Sequence, residues 1–194
     1  MTKKIKYAII GAGCMGQEHI LNIEIIDDAE VVALCDTSEK SIKESLDLLN
    51  NDVAIFDNYI DLVEANIADA FIIATPNFTH IDVLKEVMKS EVHLLIEKPL
   101  CTTVKDCQEF EKLAVDYPGV IWTAMEYRYM PPVQRMIKEI HNKTIGDLKM
   151  LSIREHRFPF LHKVDDWNRF AIKTGGTLVE KCCHFFDLMR LIAQ

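Results

Sequence analysis

The chain has 194 residues, 49% of them apolar, and carries a net charge of −8. That length suits one large domain, or one domain with part of a second, and the apolar share is enough for a sizeable core. The acidic balance, with no clustered Lys and Arg, excludes nucleic acid as a partner, and no apolar run is long enough to span a membrane.

The chain opens with an apolar strand, Ile5–Ile10, that runs directly into Gly11-Ala12-Gly13-Cys14-Met15-Gly16. Helical spacing follows through Gly16, Ile20 and Ile23. A strand–turn–helix of this kind is what a dinucleotide fingerprint requires. Gly11 makes the tight turn, Gly13 leaves room for a pyrophosphate, and Gly16 lets the helix lie close to its strand. The free N–H groups of the first helical turn, at Cys14 and Met15, then face the phosphates. A glycine-rich turn before any helix would show part of this pattern, so the flanking elements carry the reading.

Further strands are expected at Val31–Cys35, Ala54–Phe56, Ala70–Ala74, Val92–Ile96 and Val120–Ala124. Between them lie helical stretches at Ser38–Leu49, Thr79–Lys89 and Thr103–Asp116. Continuous apolar strands separated by helices predict a Rossmann-type parallel sheet covered by helices on both faces. Ligands of such sheets bind beyond the carboxyl ends of the strands, so the residues just after each strand matter most. Asp36, after the second strand, can accept from the adenosine ribose hydroxyls and repels a 2′-phosphate, which favours NAD over NADP. It can equally start a turn or cap the next helix. After the fourth strand, Pro76 ends the strand, and Asn77 or Thr79 can cap the following helix; the loop would also lie over the nicotinamide half of the cofactor. Glu97-Lys98-Pro99 follows the fifth strand and puts two opposite charges at the end of a buried element. An ammonium there can steer a substrate hydroxyl and help move its proton.

The βα rhythm breaks at Met125, which divides the chain into residues 1–125 and 126–194. A helix is expected over Val133–His141 and a long strand over Leu148–Phe158. In the last segment, Leu178, Cys182, Phe185, Met189 and Ile192 make a packing stripe if one helix runs through them. Glu180, His184 and Asp187 then share another face, where two carboxylates can orient the imidazole and tune its proton affinity. A lone histidine on an apolar helix is more often a satisfied core group. The six cysteines show no regular framework and read as reduced small hydrophobes. Cys182-Cys183-His184 lacks the further ligands that a metal needs, so no metal is expected. With no signal-like apolar segment at its start, the sequence reads as soluble and cytoplasmic.

Together, GAGCMG with His19, Ala74-Thr75-Pro76-Asn77 with His80, Glu97-Lys98-Pro99, Tyr127-Arg128-Tyr129, and Gly175-Gly176 with Glu180, His184 and Asp187 resemble the glucose–fructose oxidoreductase/inositol dehydrogenase (Gfo/Idh/MocA) family. The resemblance implies an NAD(P)-binding Rossmann domain joined to an α+β substrate domain, here incomplete because family members are much longer. It implies hydride transfer between nicotinamide and a secondary alcohol of a sugar or cyclitol. Lys98 and His184 would be the catalytic pair, with Glu180 standing where the family has Asp. Gly11, Gly13, Cys14, Met15, Gly16, Asp36, Thr75, Pro76, Asn77, His80, Glu97 and Lys98 would contact the cofactor. Arg128 and Trp167 would line the substrate pocket with Lys98, Glu180 and His184. The uncovered second domain implies a homo-oligomer or an absent C-terminal half. A non-catalytic NAD-binding module docked on a partner chain is the rival reading, and a reductase of a non-sugar ring or imine is a third.

Overall fold

The computed structural model describes residues 3–156 and 162–193. The strands are β1 (Ile5–Ile10), β2 (Ala29–Cys35), β3 (Ala54–Phe56), β4 (Ala70–Ile73), β5 (His93–Ile96) and β6 (Ile121–Thr123). They form one parallel sheet in the order β3-β2-β1-β4-β5-β6. The helices are α1 (Cys14–Ile23), α2 (Glu39–Leu46), α3 (Tyr59–Ala65), α4 (His80–Val87), α5 (Val104–Ala114), α6 (Pro131–His141), α7 (Ala171–Thr174), α8 (Thr177–Glu180) and α9 (Cys183–Ile192).

The sheet is apolar on both faces, because successive side chains of a strand point in opposite directions. Ala8, Ile10, Phe71, Ile73, Leu94 and Ile96 pack with Leu62 of α3, Ile81 and Leu84 of α4 and Phe110 of α5. The intervening Ile9, Leu34 and Ile72 pack with Ile20 and Ile23 of α1 and Ile42 of α2. Each buried Ile or Leu stabilises the fold by about 2 kcal/mol relative to exposure. Several helices start on side-chain caps: Ser38 Oγ accepts from Ser41 N–H, Asn58 Oδ1 from Ile60 N–H, and Thr103 Oγ1 from Asp106 N–H. The expected cap after β4 does not form, since neither Asn77 nor Thr79 caps α4 with its side chain. The Thr79 hydroxyl instead lies 2.8 Å from both Pro76 O and Thr75 Oγ1 and stiffens its own loop.

The strand order reverses between β1 and β4, which lie side by side although β2 and β3 separate them in sequence. A crevice opens beyond the carboxyl ends at such a switch point. Gly11, Asp36, Thr75, Glu97 and Glu126 all fall just past strand ends on that edge.

Two expectations for the second part of the chain fail. The run Leu148–Phe158 was expected as a strand, but residues 148–156 adopt none, and 157 and 158 lie outside the described residues. A strand needs a partner for its N–H and C=O groups, and the described residues place no strand beside this segment. The expected single helix through residues 178–192 is also broken. Cys182 N–H reaches Thr177 O, five residues back, so the chain makes a wide turn between α8 and α9 and the register rotates. The buried face of α9 is therefore His184, Leu188 and Ile192, while Leu178 is 68% exposed.

Candidate active site

The glycine turn has the shape its spacing demands. Gly11 sits at φ +99°, and a Cβ there would fall 2.6 Å from the backbone of Ala74 and Thr75. A Cβ on Gly16 would fall 2.1 Å from Gly11 O, so only glycine lets α1 lie this close to β1. A Cβ on Gly13 would meet nothing within 4 Å and would project into open space. Gly13 caps α1 without a side-chain bond, so the N–H groups of that ten-residue helix face outward with Cys14 and Met15 exposed. That is a cradle for an anion.

Asp36 closes the turn from behind. Its Oδ2 accepts from Ala12 N–H at 2.7 Å and its Oδ1 from Ser38 N–H at 2.8 Å. Each oxygen keeps a second lone pair, so the carboxylate serves the turn and can still accept from a ribose hydroxyl. Asn77 is buried in the loop after β4, and its Nδ2 has no hydrogen-bond partner among the described residues. A buried amide donor without an acceptor is costly unless something arrives to accept from it. The open space at Gly13, the uncapped α1 and the Asn77 donor together fit a dinucleotide.

His80 and Glu97, both expected to contact the cofactor, are buried and hydrogen-bonded within the loops after β4 and β5. His80 is 0% exposed, and its Nδ1 and Nε2 lie 2.9 Å from Pro99 O and 3.0 Å from Thr75 O. It therefore ties the loop after β4 to the loop after β5. Burial holds this imidazole below its usual proton affinity, against the opposing pull of those carbonyls. Glu97 is buried, with Oε1 2.8 Å from His19 Nε2 of α1 and Oε2 accepting the Lys98 N–H at 3.1 Å. Burial works against its ionisation, but the His19 bond and charge, then the Lys98 ammonium, hold it below the usual carboxylate range. The Lys98–Pro99 bond is cis. Thus α1, which carries the phosphate cradle, also braces the segment that carries Lys98. Replacing His19 with Ala should cost about 3 kcal/mol, because it leaves a buried carboxylate without its partner. Denaturant unfolding checks this; an unchanged midpoint would show that the pair does not brace the loop.

The second half of the site arrives from α9. His184 is 2% exposed, and its ring stacks on Tyr127 with centroids 4.1 Å apart and planes 5° from parallel. Tyr127 donates its hydroxyl to Glu155 at 2.6 Å. Burial, followed by the Lys98 and Lys181 ammoniums, lowers the His184 pKa to about 4, against the opposing Glu97 and Glu155 carboxylates. This imidazole is accordingly neutral through the physiological range, the state a proton acceptor requires.

The carboxylates expected to orient His184 do not do so. Asp187 is bound by the Nε and Nη2 groups of Arg128, so that guanidinium, expected to line the substrate pocket, clamps α9 to the turn after β6. Glu180 sits on α8 ahead of the wide turn and forms no hydrogen bond or ion pair with His184 among the described residues. The carboxylate that approaches the ring is Glu126, whose Oε1 is 3.4 Å from His184 Nε2. Trp167 packs edge-on against Phe78 at 6.4 Å, which places it by the loop after β4. Glu126 lies three residues past the end of β6, within reach of the rule that singles out residues after strands. An apolar groove of about 710 Å³ on another flank, between α5 and Val179, contains none of these groups. No group of three His, Cys, Asp or Glu among the described residues is placed to hold a metal ion. No described helix is long and apolar enough to cross a membrane.

A parallel sheet with a glycine turn at its switch point is the Rossmann arrangement of a dinucleotide-binding domain. Residues 5–125 match the oxidoreductase family's NAD-binding Rossmann fold, and residues 137–193 match that family's C-terminal alpha/beta domain. The chain belongs to the Gfo/Idh/MocA oxidoreductase family. It is 25% identical over 187 residues to the rhizopine catabolism protein MocA of Rhizobium meliloti, covering 96% of this chain and 56% of that protein. It is 26% identical over 188 residues to myo-inositol 2-dehydrogenase of Thermotoga maritima, covering 97% and 54%. Its fold matches the crystal structure of myo-inositol 2-dehydrogenase from Lactobacillus plantarum with a TM-score of 0.80 at 22% identity, over 98% of this chain and 56% of that one. The chain spans about half the length of these relatives.

Proposed function

We propose that this chain carries the cofactor site and the catalytic pair of an NAD-dependent polyol dehydrogenase. In this reading, residues 1–125 bind the dinucleotide and residues 126–194 begin the substrate-binding domain. The observation that carries it is the buried His184, stacked on Tyr127 and in contact with Glu126 in the turn after β6, with Lys98 two residues past the end of the neighbouring strand β5. When bound, NAD supplies the hydride acceptor. Gly11, Gly13, Gly16 and the first turn of α1 hold its pyrophosphate, Asp36 accepts from the ribose, and Thr75, Pro76 and Asn77 border the nicotinamide. Lys98 positions and polarises the secondary hydroxyl, and His184 takes its proton as the hydride departs. Glu180 remains a candidate only for contact with substrate, as does Trp167.

Incubating the protein with NAD and a panel of sugars and cyclitols, while following NADH absorbance, tests this. NADH is expected with a neutral polyol, and NADP is expected to serve at least about tenfold less well, because Asp36 would set like charge against a 2′-phosphate. A second reading, a non-catalytic NAD-binding module docked on a partner chain, is favoured by the exposed Ile172, Leu178 and Phe186. Tight NAD binding with no NADH from any polyol would select that second reading.

A further inference from the structure

We propose that Glu126 sets the charge class of the substrate, admitting neutral polyols to His184 and turning away sugar phosphates and uronic acids. The inference rests on the polyol reading above and assigns a specificity role to a residue that reading does not use.

Glu126 opens the 3₁₀ turn that begins three residues past β6, and its side chain is 57% exposed, whereas His184 is buried. The Nε2 tip of the ring meets Glu126 Oε1 at 3.4 Å, and its Nδ1 is buried with no hydrogen-bond partner among the described residues. A hydroxyl hydrogen-bonded to Nε2 would therefore lie within reach of this carboxylate. Both signs of charge surround the imidazole, so the carboxylate in contact with Nε2 decides what a substrate meets first there. Burial raises Glu126's affinity for protons and Glu97 adds to this, while Lys98 and Lys181 oppose it. His184 feels the same two lysines together with Glu97 and Glu155. Arg128, the guanidinium nearest in sequence, already pairs its Nε and Nη2 groups with Asp187. A phosphate or carboxylate on the substrate would add like charge to this site. Adjacent hydroxyls of a neutral ring would instead donate to the two Glu126 oxygens.

The test compares myo-inositol with myo-inositol monophosphate on the NAD-loaded protein and on its Glu126→Gln variant, which keeps shape and removes charge. The wild type should favour the neutral ring by about a hundredfold in kcat/KM, and the variant should narrow that ratio about tenfold by accepting the phosphate better. A wild type that takes both equally, or a variant with an unchanged ratio, would overturn the proposal even with dehydrogenase activity intact. A second readout needs no turnover. Inorganic phosphate should perturb the His184 ring resonances at about tenfold lower concentration in Glu126→Gln than in the wild type. Equal midpoints would overturn the charge gate. A tenfold difference in a chain inert toward every polyol would support the gate and overturn only the dehydrogenase reading. A thermal melt confirms that the variant is folded.

Discussion

Replacing Lys98 with Ala is expected to lower polyol turnover about a thousandfold while NAD affinity stays within about twofold. The lysine follows a buried strand, and its segment is braced by the Glu97–His19 pair and by His80 behind it. The alanine variant keeps Glu97, Pro99 and the brace, so the cofactor loops have no reason to move. What it loses is the ammonium that orients the hydroxyl and acts on His184. A readout independent of turnover follows. Burial and then Lys98 hold the His184 pKa near 4, so removing Lys98 should raise it toward, but not to, the ordinary 6.5. An NMR titration of the ring measures this. Unchanged turnover together with an unchanged titration would remove Lys98 from the site.

The two glycines of the turn should fail in different ways. Gly16→Ala drives a methyl group to 2.1 Å from Gly11 O and 3.1 Å from Ile9 Cγ2, both on the strand side of the turn. The helix α1 must then retreat, at about 3 kcal/mol of stability, and its N–H groups retreat from the pyrophosphate with it. Gly13→Ala meets nothing in the protein, and its φ of −77° suits alanine. That variant should melt like the wild type yet bind NAD at least about tenfold more weakly, because its methyl group occupies the space a pyrophosphate needs. Denaturation and calorimetry on the pair separate packing from binding. A Gly13→Ala protein with wild-type NAD affinity would place the phosphates elsewhere.

The sheet was legible because each strand announces itself locally. Apolar runs such as Ile5–Ile10 and Ala54–Phe56 have the bounds their hydropathy predicts. The short α3 was not anticipated, since its seven residues bury only Leu62 and give little periodic signal. The glycine turn and Asp36 were also legible, because they are defined within one βαβ unit. The surroundings of His184 were not. The spacing of Glu180, His184 and Asp187 promised two flanking carboxylates only on an unbroken helix, and the wide turn at Cys182 removes that condition. The ring's actual neighbours, Tyr127 and Glu126, come from the turn after β6, and Asp187 turns instead to Arg128. Contacts between distant segments are set by tertiary packing, which a helical period does not encode. The Leu148–Phe158 run failed for a related reason: an apolar run specifies a strand only where another strand pairs with it.

The central claim, that hydride passes from a secondary alcohol carbon to NAD at Lys98 and His184, is tested most directly with a deuterium-labelled polyol. Mass spectrometry of the reduced cofactor should find one deuterium on the nicotinamide ring in the wild type and no reduced cofactor with Lys98→Ala. Unlabelled NADH, or labelled NADH produced equally well by the Lys98→Ala protein, would contradict the account.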